Sequence, residues 1–167
     1  MEVAASIIGV VQLADRVLSL CGNYLQSVRS AKDDINRVSA EVGTLKSVLE
    51  RADQMVNDEI MKDYMPDSLR QELGTIITSC QLTLEDLESK LESKLDHNQK
   101  GSSIRGLLHV SSTLKWPFKS KEVMNIIQEL DRHKGTITLT LQLDRSETLY
   151  TYLLPTHLLT WYLVGQT

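Results

Sequence analysis

Proline and glycine are scarce in this chain, with three Pro and eight Gly among 167 residues, so little punctuates it. Aromatic residues make up 5% and include a single Phe, which leaves Leu, Ile and Val to build any core and favours helix packing over sheet packing. The two cysteines, Cys21 and Cys80, lie on apolar helix faces and are expected to be buried, reduced and inert rather than paired at metal-ligand spacing. A net charge of -4 gives no global attraction to nucleic acid or acidic lipid, so any such contact needs a local patch. No basic region precedes the first apolar run and no small-residue cleavage pattern follows it, which points to a cytoplasmic protein. With 41% hydrophobic and 24% charged residues, the composition is that of one ordinary globular domain rather than a disordered chain.

Periodicity is plentiful by contrast. Val3, Ile7, Val10, Ala14, Val17, Cys21, Tyr24 and Val28 alternate gaps of four and three, which places one side chain per turn on a single helix face. A second row, Ala4, Ile8, Val11, Leu18 and Leu25, runs beside it, and Gln12, Arg16, Ser19, Asn23 and Gln26 add a polar face only later. The leading half is therefore apolar all round. Such a half-helix belongs inside a bundle, against a partner or in a bilayer.

From about Ser30 to Asn57 the row Ile35, Val38, Val42, Leu45, Leu49, Ala52 and Val56 predicts a second long amphipathic helix, opened by a Ser30–Asp33 capping box. The loop before it is so short that the first two helices should pack antiparallel within one chain. A turn at Pro66, Asp67 and Ser68, with Ser68 and Gln71 at capping-box spacing, opens a third helix. Its apolar face is Leu69, Leu73, Ile76, Cys80, Leu84, Leu87, Leu91 and Leu95, while Asp86 and Lys90 form a favourable pair in i, i+4 on its wet side.

No acidic residue occurs from Asn98 to Lys121, where Lys100, Arg105, Lys115, Lys119 and Lys121 gather around Trp116 and Phe118. Two readings of this candidate basic patch stand: contact with an anionic surface or partner, or a solvated crossover whose two aromatics fold back onto the core. Pro117 is placed to lead into a fourth helix, which begins near Lys119 and bears Val123, Ile126 or Ile127, Leu130, Ile137 and Leu141. Within it Thr136–Leu143 alternates at period two like a strand, but with no strand upstream to pair with it, helix is expected.

Signatures of chemistry are lacking. The sequence holds no Gly-rich phosphate loop, no dinucleotide fingerprint, no His-Glu-x-x-His and no nucleophile with a base beside it. His97, His109, His133 and His157 are scattered, and His133 sits between Arg132 and Lys134, which disfavours its cation. No enzyme activity, cofactor, metal, nucleic acid or small-molecule substrate is expected. The fold expected is all-α: an antiparallel bundle of about four long helices with an additional apolar C-terminal segment.

Three segments carry a resemblance: Met1–Cys21, Leu45–Leu49, and Leu114–Val123 followed by Glu129–Lys134. Together they resemble the fungal N-terminal domain found ahead of NACHT-type nucleotide-binding modules, also described as the azaphilone pigment biosynthesis cluster protein L N-terminal domain, and related to HeLo-like bundles. The resemblance covers residues 1 to 143. It implies a non-catalytic signalling or effector domain that works by protein contact or self-association in regulated cell death. It also implies membrane insertion of the first helix, for which the matching residues here are Val3, Ile7, Ile8, Val10 and Val11. A plain helical interaction scaffold is the alternative. The nucleotide-binding and repeat modules of such receptors are not in this sequence, and residues 144–167 form an uncharged tail from Thr148 onward in place of a polar linker. That tail is near bilayer-spanning length, though Pro155 and several Thr weaken the case.

Overall fold

Each apolar row of the sequence comes to rest on another. The computed structural model describes the backbone of residues 2–28, 31–58, 65–99 and 115–164, and side chains within 3–28, 31–58, 65–93 and 115–142. Four helices and no strand occupy these residues: α1 (Glu2–Ser27), α2 (Lys32–Asn57), α3 (Asp67–Gln99) and α4 (Ser120–Val164). The side chains of Ser30, Leu95, His97, Lys100, Arg105, His109 and His157 and those of the tail lie outside the described set.

All seven residues expected on the inner face of α2 are buried, as are Ile7, Val10, Ala14, Val17, Cys21, Tyr24 and Val28 of α1. On α3 the row runs Leu73, Ile77, Cys80, Leu84, Leu87 and Leu91. Ile77 replaces the expected Ile76, which with Leu69 is only half-buried at the edge of the core. The difference is one step of about 100°, which turns Ile76 toward a seam rather than the bundle axis. On α4 the ambiguous Thr136–Leu143 run is helical, and its burial pattern shows why. A strand would put Ile137, Leu139 and Leu141 on one face, whereas here Ile137 and Leu141 are buried and Leu139 is 61% exposed.

The helix starts differ from the expected capping boxes. At α2 the Ala31 carbonyl accepts from the Ile35 N–H at 3.0 Å, and Ala31 has no side-chain cap bond. Asp33 and Asp34 then occupy the first turn, where carboxylates favour the positive end of the helix dipole. At α3 the Arg70 N–H donates to the Pro66 carbonyl at 3.1 Å, so Pro66 takes the cap position and Ser68 is already inside the helix. The back-reaching half of a capping box occurs instead at α4. There Glu122 Oε2 accepts from the Lys119 N–H at 2.7 Å, and the helix begins at Ser120, beside the expected Lys119.

α1 packs against α2 and α3, and α4 packs against the same two, so the bundle order is α1, α2, α4, α3 around a square. Direction follows from the pairs that meet. Val3 lies over Gly74, Arg16 meets Glu88 and Tyr24 meets Leu91, so α1 and α3 run parallel. Arg37 meets Met124 and Glu41 meets Lys134, so α2 and α4 also run parallel. Successive helices alternate in direction, as expected, and the chain crosses the end of the square between α2 and α3. α4 is 45 residues long against 26 for α2, and its helical backbone continues from 143 to 164 without a break at Asp144. At 1.5 Å per residue this continuation adds roughly 30 Å beyond the level where Leu141 and Gln142 flank Met55.

Fully burying a Leu side chain contributes about 1.5 to 3 kcal/mol, and truncating it also leaves a cavity. Leu45→Ala and Leu84→Ala, both without exposed surface, are expected to cost about 2 to 5 kcal/mol in urea unfolding. Leu82→Ala on the same helix as Leu84, but 62% exposed, is expected to change stability by less than about 0.5 kcal/mol.

Candidate functional site

Charges on the inner flanks of the helices meet at one level of the bundle. Asp15 and Arg16 are the two charged residues of the Val3–Ser27 segment, and consecutive side chains on a helix diverge by about 100°. That divergence sends them to different neighbours. Asp15 Oδ1 receives Lys46 Nζ of α2 at 2.6 Å, and Arg16 Nε donates to Glu88 Oε1 of α3 at 2.6 Å. The same device recurs across the square on α4, where Lys134 Nζ donates to Glu41 of α2 and His133 Nε2 lies 3.0 Å from Thr83 Oγ1 of α3. Each of the four seams thus carries a polar contact of this belt. Because Thr83 Oγ1 also lies 3.2 Å from the Ser79 carbonyl and can donate to it, a neutral His133 donating through Nε2 completes the set.

The electrostatics follow from burial and pairing. The hydrogen bond to Glu88 raises Arg16, and that to Asp15 raises Lys46, each above its ordinary value. Burial pulls Lys134 down, but its hydrogen bonds to Glu41 and Asp131 outweigh it and the ammonium ends higher. His133 moves the other way. Burial, with Arg132 beside it, holds its imidazole below 6.5 and therefore neutral at pH 7. Burial also lifts the thiols of Cys21 to about 11 and Cys80 to about 12, and the Tyr24 phenol to about 12. Neither thiol is a nucleophile in this state.

The sequence-derived contact residues of α1 separate into two groups. Ile7 and Val10 are wholly buried in the core, whereas Ile8 is 47% exposed and Val3 and Val11 are half-buried. A surface formed by all five does not exist in the folded bundle. The part that faces outward is Ile8, flanked by Ala4 and Val11. By length and composition Val3–Ser27 is apolar enough to cross a membrane.

The described residues of the basic patch lie at the other end of the bundle, where α1 ends and α4 begins. Lys115, Lys119 and Lys121 are exposed there, Trp116 is half-buried and Phe118 is buried. The Trp116 ring meets Tyr24 edge-on at 5.4 Å and Phe118 at 5.1 Å, so the aromatics do cap the core. The Tyr24 hydroxyl donates to the Leu91 carbonyl at 2.8 Å beneath them. Two clefts open elsewhere. One of about 630 Å³, open to solvent, lies beside the start of α1 and is lined by Val3, Ser6, Arg70, Gly74 and Thr78. The other, of about 470 Å³, lies between Val48, Arg51 and Met55 of α2 and Thr138 and Leu141 of α4. Neither lining pairs a nucleophile with a base. Among the described residues no three His, Cys, Asp or Glu side chains converge as a metal site.

The polar belt escaped the reading of the sequence because its members are isolated positions on four helices. The signal available was the interruption of an otherwise uncharged segment by Asp15 and Arg16 side by side. No family model, curated protein or solved structure matches this chain.

Because the folded chain keeps His133 neutral where the unfolded chain takes up a proton near 6.5, stability is full above that pH and declines as pH falls below it. The urea midpoint should therefore drop between pH 7 and pH 5.5. His133→Gln, which stays neutral, should flatten that part of the curve.

Proposed function

We propose that the chain is a non-catalytic, cytoplasmic signalling or effector domain of the fungal HeLo-like type, acting through protein contacts or self-association in which α1 is the working element. The resemblance also implies membrane association of α1 on activation. The observation that carries it is the character of α1. This helix has the length and apolarity of a membrane span, yet it packs on α2 and α3 within the bundle and leaves Ile8 exposed along one edge. An apolar edge on a helix that is otherwise satisfied inside its own bundle suits a partner helix or a second copy. The resemblance of Met1–Cys21 to the domain ahead of NACHT modules supports the same reading. The plain scaffold remains the second reading, favoured by the complete burial of Ile7 and Val10.

Substituting either of those two would test folding rather than function, because a carboxylate in the core is left without a partner. Ile8→Asp avoids this. It should keep the helical signal and the urea midpoint while weakening self-association, measured by light scattering across a concentration series, about tenfold or more. Unchanged association, or none from the unsubstituted chain, removes α1 as the working element and leaves the scaffold.

A further inference from the structure

We infer that Asp15 and Arg16 keep α1 out of a bilayer when it leaves its neighbours, so that its apolar surface is directed to protein partners. The inference rests on the reading of α1 as the working element and specifies what regulates it. Three observations converge. Val3–Ser27 is long and apolar enough to span a membrane, and its two charged residues fall at its middle, where a bilayer is driest. In the bundle each has an opposite charge at 2.6 Å, Lys46 on α2 and Glu88 on α3. Outside the bundle neither can neutralise the other, because adjacent helix positions point about 100° apart and do not face each other.

The same geometry therefore acts twice. In water it lets one helix clasp both neighbours, since divergence aims one charge into each seam. In a spanning helix it presents two unpaired charges in different directions at the centre of the hydrocarbon, where neither is near enough to an end to reach the headgroups. Release of α1 from α2 and α3 alone would not deliver it to a membrane. A destination that supplies both an ammonium or guanidinium and a carboxylate, as a protein surface does, meets the need.

The test uses the full chain with zwitterionic phosphatidylcholine vesicles, reading co-flotation with the vesicles and leakage of an entrapped dye. Asp15→Ala/Arg16→Ala should remain helical, because both side chains are more than half exposed, and should increase vesicle partitioning by on the order of a hundredfold for each charge removed. Lys46→Gln/Glu88→Gln removes the partners but leaves both charges on α1. It should loosen α1, seen as faster amide exchange, with no gain in partitioning. If the alanine pair gains nothing, or the partner-side pair gains as much, the inference falls. If the alanine pair does not fold, Asp15→Ala and Arg16→Ala singly read the same gain. Failure here is separable from failure of α1 as working element, which Ile8→Asp reports through self-association in the absence of lipid.

Discussion

One continuous apolar row on each helix has to leave water, and the arrangement of the molecule follows from that constraint. α1 and α2 each carry seven or more inward residues at gaps of three and four, and the core residues named on all four helices form a single cluster. Among the described residues, aromatics contribute at one end, where Tyr24, Trp116 and Phe118 close the bundle. Elsewhere Leu, Ile, Val, Ala, Met and Cys fill the interior, so the helices meet through predominantly aliphatic side chains. Several kcal/mol attach to each large buried residue, whereas an exposed ion pair is worth about 1 kcal/mol at most. The core, not the charges, therefore holds the helices together.

What the aliphatic contacts leave open is which helix sits beside which, and in what register. Apolar rows at the same spacing slide past one another at little cost, while a misplaced charge does not. The belt formed by Asp15, Arg16, Glu41, Lys46, Thr83, Glu88, His133 and Lys134 supplies the distinction at one level of the bundle. α1 and α4 occupy opposite corners, and each uses two consecutive residues to address both of its neighbours. Slipping α1 against α2 by one turn would set Asp15 opposite Val42 or Glu50 instead of Lys46.

The two features that attract functional interpretation lie at opposite ends. The apolar first half of α1 is beside the start of α3 and the end of α2, and the helical continuation of α4 emerges at that same end. The described lysines of the basic stretch stand at the far end with Trp116, separated from the start of α1 by the length of a 26-residue helix, about 39 Å. Those lysines therefore cannot hold an anionic surface against the first half of α1. An exposed edge at Ile8 and a pair of satisfied charges at mid-helix are what α1 offers while folded.

The existence and type of the four helices were legible in the chain, because a period near 3.6 is a local property that any stretch of about four turns displays on its own. So was the inward face of α2, residue for residue. The starts were read less well: Ser30 and Ser68 have the composition of caps, but the backbone begins its hydrogen bonds from Ala31 and Pro66, and Glu122 caps α4 instead. Position Ile76 against Ile77 differs by one residue step, which burial decides and spacing does not. The order of helices around the square, the parallel pairing of α1 with α3, the burial of His133 and the partners of Asp15 and Arg16 belong to the tertiary structure alone. They depend on contacts between residues tens of positions apart, such as Arg16 with Glu88 and Lys134 with Glu41, and a linear pattern of apolar spacing carries no information about which distant row it will face.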